Sequence, residues 1–220
     1  MKIGLLCEGG IDYAIIPSLV EQIARTQAGI RWPVRPDDVV ERVGGIRRGG
    51  FGQVQKAVQK LCLLIDQPPF SEYAFFLIVL DRDTRQTQSA IKKYIKGHGK
   101  KFVIGIAIQK VEAWWLADRR NTLEWLALPN LSDPSCRYCA AGYAPEKDPT
   151  PKKTLDELTK LSPLLSSTYG DGNSQLAAEF ASLWNTRAEI DQIKAACPKG
   201  FAPFCKKTAA ALRLHAPRRK

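Results

Sequence analysis

Apolar residues run almost unbroken over residues 3–7, 73–80 and 102–108, while the chain between them shows the wider spacing of helices. Short continuous apolar runs are the mark of strands buried on both faces, as in a parallel sheet. Residues 39–43 make a shorter, more polar run and are expected as an edge strand. Helical patterns occupy residues 14–27, closed by Gly29, residues 53–64, with apolar positions at Val54, Ala57, Val58 and Leu61, and residues 84–95. Pro17 lies inside the first, so that helix is expected to begin near Pro17 or to kink there. The order β-α-β-α-β-α-β predicts an α/β fold, an open, mostly parallel four-stranded sheet flanked by helices.

Beyond residue 112 the texture turns helical, over 112–126, 152–161, 174–184, 188–196 and 201–214, with a Pro- and Cys-containing connection over 129–151. The chain thus divides into an α/β domain, residues 1–128, and an all-helical C-terminal region, residues 129–220, packed on it and ending in a short basic tail. Trp114 and Trp115 share a helix with Leu116, Leu123, Trp125 and Leu126 and are expected in the core, although one facing a crevice could stack on a base.

In an open parallel sheet the functional crevice lies beyond the C-terminal ends of the strands. Three such ends carry acids: Glu8 after the first run, Asp81 and Asp83 after the third, and Glu112 after the fourth. Asp81 and Asp83, two apart, point to one side of an extended backbone. Carboxylates gathered this way repel one another, and either raised pKa values or a hard, oxygen-seeking divalent cation relieves them. Mg²⁺, or Mn²⁺ in its place, fits, and a second ion about 4 Å away would clamp an in-line displacement at phosphorus. Gly9 and Gly10 are expected to let the chain turn sharply into the helix and to let a phosphate or metal-bound water approach the backbone. Asp12 either supports Glu8 from the helix N-terminus or caps that helix; Asp83 and Glu112, each taken alone, admit a similar helix-start reading. Three strands ending on acids at one edge exceed what capping requires.

Lys and Arg outnumber Asp and Glu by 33 to 22, a net charge of +11 spread over many clusters, which makes nucleic acid the expected partner. The Gly-rich basic loop over residues 44–52 carries Arg47 and Arg48 but lacks the Gly-Lys-Ser/Thr ending of a P-loop, which argues against nucleotide hydrolysis. It fits a phosphate-gripping loop and a plain connector equally. No stretch approaches the roughly 20 apolar residues of a membrane span, and no signal-peptide pattern opens the sequence, so a cytoplasmic protein without membrane contact is expected. Its six cysteines are then reduced, with Cys7 and Cys62 in the core. Cys136 and Cys139 have zinc-knuckle spacing, but Cys197 and Cys205 are too far apart in sequence to complete a four-ligand site, even with His215 as a spare ligand, and zinc is not expected.

The stretch Cys-Glu-Gly-Gly-Ile-Asp, from Cys7 to Asp12, followed by Leu-Asp-Arg-Asp, from Leu80 to Asp83, resembles the Toprim domain of topoisomerases, bacterial primases and OLD-type nucleases. That family's pattern is Glu-Gly-x-x-Asp after the first strand and Asp-x-Asp after the third, on a small parallel α/β sheet. The resemblance implies that Glu8 binds metal or acts as general acid/base and that Asp81 and Asp83 hold Mg²⁺. Glu112 looks like the extra acid of small stand-alone Toprim-like bacterial proteins, which often sit beside ATPases in phage-defence or mobile-element settings. The C-terminal half resembles theirs more loosely. Topoisomerases and primases need further parts for which 220 residues leave little room, so hydrolysis of DNA or RNA phosphodiesters is the implied activity. Some OLD-type nucleases add a lysine near the metals to stabilise charge at phosphorus. Lys110, Lys152 and Lys153 are candidates, the last two preferred and both also expected as phosphate contacts.

Two other functions compete. Leu-Asp-Arg-Asp-Thr also resembles the nucleophile motif of HAD-type phosphatases, but there it normally opens the chain, and it leaves Glu8 and Asp12 unexplained. A non-catalytic nucleic-acid-binding or regulatory subunit of a partner ATPase would carry the same basic clusters.

Overall fold

A computed structural model of the chain describes residues 1–44, 50–82, 85–133, 135–170 and 172–217, with residues 85–87 described by backbone alone. Asp83, Arg47, Arg48 and the basic tail at 218–220 lie outside the described residues. Strands β1 (Lys2–Cys7), β2 (Arg35–Asp38), β3 (Phe75–Asp81) and β4 (Phe102–Ala107) form an all-parallel open sheet in the order β2-β1-β3-β4. Helices α1 (Gly10–Thr26), α2 (Gly50–Leu64) and α3 (Arg85–Ile95) connect them.

The unbroken apolar runs are explained by cover on both faces. Leu5, Cys7, Leu77 and Val79 point towards α1 and the C-terminal helices, whereas Leu6, Ile78 and Leu80 point towards Val54, Val58 and Leu61 of α2 and Ile91 of α3.

The edge strand is not the valine run. Residues 35–38 pair with β1, while Val39, Val40 and Val43 are buried in a turn beneath that edge. The Asp38 carboxylate accepts the Val40 N–H at 2.8 Å, an Asx-type contact that turns the chain out of the ladder. An edge strand tolerates the polar Arg-Pro-Asp-Asp sequence because one side of its ladder needs no partner. Helix α1 begins at Gly10 and continues through Pro17, where the loss of one N–H is offset by the buried face of Ile15, Ile16, Leu19, Val20 and Ile23.

The long helix expected over 112–126 is two helices, α4 (Glu112–Ala117) and α5 (Arg119–Trp125). The break falls at Asp118, whose buried carboxylate accepts from Asn121 Nδ2, Trp184 Nε1 and the Glu189 N–H, tying it to a distant part of the chain. The remaining helices are α6 (Pro151–Leu161), α7 (Ser174–Arg187), α8 (Ile190–Ala196) and α9 (Phe201–His215). Both tryptophans of α4 are fully buried: Trp114 stacks on Phe204 with ring centroids 5.0 Å apart, and Trp115 on Phe180 at 4.4 Å. Neither faces a crevice. Cys62, expected in the core, is half-exposed on α2, outside its buried stripe. Among the described residues, no helix is long and apolar enough to cross a membrane.

Candidate functional site

β1 and β3 are neighbours in register, Cys7 beside Val79, so their chains leave the sheet side by side at its C-terminal edge. The Asp81 N–H donates to Glu8 Oε1 at 2.9 Å, which fixes the Glu8 side chain against the end of β3. The next strand end supplies a lysine through an unusual turn. Gln109 lies in the left-handed region at φ 67°, a position rare outside glycine, and the following Lys110 reaches Asp81 Oδ2 with Nζ at 2.9 Å.

Glu112, on the first turn of α4, is buried at 3% exposure; it accepts from Tyr169 OH at 2.7 Å and lies 3.8 Å from Lys152 Nζ. Asp12 accepts the Gly9 N–H at 2.9 Å, so it does cap the start of α1, but it also faces the other acids. Glu8, Asp12, Asp81, Glu112, Lys110 and Lys152 thereby line one cleft of about 470 Å³, walled by Gly50 and by Gly172 and Ser174 near the start of α7.

The cleft is electronegative. Burial, and then the charges of Asp81, Glu112 and Glu8, push the Asp12 carboxyl well above its ordinary range, against the opposing Gly9 hydrogen bond. Burial followed by the charges of Asp12, Asp38, Asp81 and Glu8 likewise raises the Cys7 thiol. Burial and then Glu112 push the Tyr169 hydroxyl well up, so it stays a hydrogen-bond donor.

The donor chemistry, carboxylate oxygens at a sheet edge, suits a hard divalent cation. Among the described residues no three His, Cys, Asp or Glu side chains stand close enough together to form a ready ligand set. Protein donors take carboxylate oxygens instead: the Asp81 N–H on Glu8, Lys110 on Asp81 and Tyr169 on Glu112. The same holds for Cys136 and Cys139, which lack a third ligand among the described residues; Cys197 and Cys205 are buried among α4, α8 and α9.

Of the residues singled out in the sequence, Glu8, Gly9, Gly10, Asp12, Asp81, Lys110, Glu112 and Lys152 meet at this cleft. Lys153 does not. One residue along a helix is a rotation of about 100°, and Lys153 emerges on the exposed side of α6, 3.9 Å from Glu157. Gly9 is not there to relieve strain either: its φ of −129° suits any residue, and an added Cβ would meet only Asp12 Oδ2 at 3.7 Å. Tyr169 and the α7 wall were not foreseen, since they join the site through chain folding from 57 residues beyond Glu112. The positive φ of Gln109, which aims Lys110, leaves no trace in residue type.

Comparison of the chain with protein-family models, with curated proteins and with solved structures found no match.

Proposed function

We propose that the chain is a divalent-metal-dependent phosphodiesterase of Toprim type that hydrolyses nucleic acid. No three of these acids form a ready ligand set among the described residues, so Glu8, Asp81 and Glu112 would hold the ion only by drawing together, with Asp83, beyond the described residues, as a further ligand. The observation that carries the reading is the meeting of carboxylates from β1, β3 and the segment after β4 in one cleft with two lysines. When bound, Mg²⁺ or Mn²⁺ supplies a Lewis acid at the phosphoryl oxygen and a water of lowered pKa. The chain's own groups supply position and charge. Glu8, held by the Asp81 amide, would serve as metal ligand or general base. Lys110 and Lys152, which balance Asp81 and Glu112, would stabilise charge developing on phosphorus. Asp12 and Gly9 brace the turn beside Glu8. A partner ATPase and a phage-defence role belong to the same reading.

The test is cleavage of plasmid DNA, oligonucleotides and tRNA with Mg²⁺, Mn²⁺ or EDTA. Cleavage should require the metal, and Glu8→Gln and Asp81→Asn should each slow it by roughly 10²-fold or more. Lys110→Gln should slow it by a similar factor, whereas Lys153→Gln should leave the chemical step intact. Hydrolysis of p-nitrophenyl phosphate with intact plasmid would point to a phosphatase instead. Nucleic-acid binding with no cleavage under any metal, alone or with a co-expressed ATPase, would point to the non-catalytic subunit.

A further inference from the structure

Next to the acidic cleft, along the outer edge of β4, lies a second groove of about 530 Å³ with the opposite electrostatic character. Its cations come from separate parts of the chain: Arg82 after β3, Lys92 on α3, Lys199 just before α9 and Lys207 within α9. All four are exposed. Among the described residues none of them lies within ion-pair distance of a carboxylate, whereas Arg42, Arg120, Lys160, Arg187 and Lys194 are paired. The nearby Glu146 is buried, and its two oxygens accept the backbone N–H groups of Lys199 and Gly200, so it builds the wall and does not pair with a groove side chain.

The groove and the cleft meet at one peptide unit. Asp81 lines the cleft, and the next residue, Arg82, lines the groove, held there by its N–H to Ala107 O at 2.9 Å. The floor is apolar, with half-exposed Ile104 and Ile106. An edge strand with an apolar face invites a peptide to add a strand, but this edge is obstructed. Lys207 Nζ donates to Ile104 O at 3.4 Å, and Gly200 approaches so closely that a Cβ on it would stand 2.9 Å from Ile106 O. Cations with no carboxylate partner among the described residues, over a blocked edge, suit a chain of phosphates, each neutralised phosphate releasing a counterion.

We propose that this groove binds the phosphodiester backbone of nucleic acid and leads it to the acidic cleft. The choice of nucleic acid among polyanions rests on the phosphodiester reading of that cleft. Phosphate contacts of this kind position a strand without reading its sequence, so binding is sequence-independent and strongly salt-dependent.

The test is fluorescence anisotropy of a fluorescein-labelled oligonucleotide, single-stranded and duplex, in EDTA over a series of KCl concentrations. The full chain is compared with Lys92→Gln/Lys207→Gln and with a control of equal charge change on exposed residues elsewhere, Lys56→Gln/Lys147→Gln. The groove pair should weaken binding about tenfold or more and lower the slope of log K against log salt by about two, one for each phosphate no longer neutralised. Equal weakening by the control pair, or binding no tighter than that of labelled polyglutamate, overturns the inference. Mn²⁺ titration reads the cleft separately: the groove pair should keep the wild-type affinity and Glu8→Gln should lose it. Mn²⁺ binding that depends on Glu8 alongside absent oligonucleotide binding sinks the groove and leaves the cleft reading standing. Oligonucleotide binding lost only in the groove pair, alongside Mn²⁺ binding indifferent to Glu8, upholds the groove and sinks the cleft reading.

Discussion

Asp148 is fully buried at its side chain yet faces donors on every side: Thr154 Oγ1 at 2.5 Å, the Thr150 N–H at 2.9 Å, Tyr143 OH at 3.0 Å and Arg137 Nη1 at 3.1 Å. Burial alone would raise its pKa, but these hydrogen bonds and the Arg137 charge outweigh it and hold the carboxyl below its ordinary 3.8. A carboxyl depressed in the folded state stabilises the protein above its unfolded pKa, and that contribution fades as pH falls through the lower folded value. Asp148→Asn should therefore cost about 2 kcal/mol at pH 7, and the gap to wild type should shrink below pH 3.8. Urea denaturation of both proteins across that range checks this; a gap independent of pH would show that the charge is not what Asp148 contributes. The residue matters for the site because it pins the start of α6, and α6 carries Lys152 into the cleft.

Between elements, α9 fits tightly on β4. A Cβ at Gly105 would stand 2.4 Å from Phe204 Cδ2, and Phe204 cannot swing away because it is stacked on Trp114 and tilted against Phe201. Gly105→Ala should destabilise the fold by roughly 1–3 kcal/mol through overpacking, and by less in a Phe204→Leu background, as measured by a double-mutant cycle in thermal denaturation. Equal costs in both backgrounds would mean that the Phe204 ring is not the cause. The same fit sets one wall of the basic groove, which Phe204 lines together with Ile104 and Ile106. The strand interiors were legible in the sequence because cover on both faces leaves an unbroken apolar signal, and the acids at their ends were legible because a parallel sheet puts those ends together. What misled was local chemistry with more than one outcome. Val39, Val40 and Val43 are apolar because they plug the core from a turn, and Asp118 ends a helix because Trp184 and Glu189 donate to it. Which of two adjacent lysines faces the cleft depended on the register of α6, which composition does not set.

For the whole molecule, the texture of the sequence invites a cut near residue 128, but the core does not stop there. One face of the sheet and helix α1 are covered by Phe180, Trp184, Phe201 and Phe204 from beyond that point, in a single cluster with Leu5, Leu77, Trp114 and Trp115. Losing one such aromatic from a core costs about 3–5 kcal/mol, and a domain of this size has a total stability of about 5–15 kcal/mol. Losing four would remove about as much as that total or more. The acidic cleft depends on the same packing, because Lys152, Gly172 and Ser174 come from beyond the cut. The full chain should therefore melt in one cooperative transition with equal calorimetric and van't Hoff enthalpies. Residues 1–128 expressed alone should bind a hydrophobic dye and lack the near-ultraviolet dichroism of fixed aromatic side chains. A truncated chain that melts cooperatively, or a full chain with two separated transitions, would show that the α/β part folds by itself and that the C-terminal helices only complete its cleft.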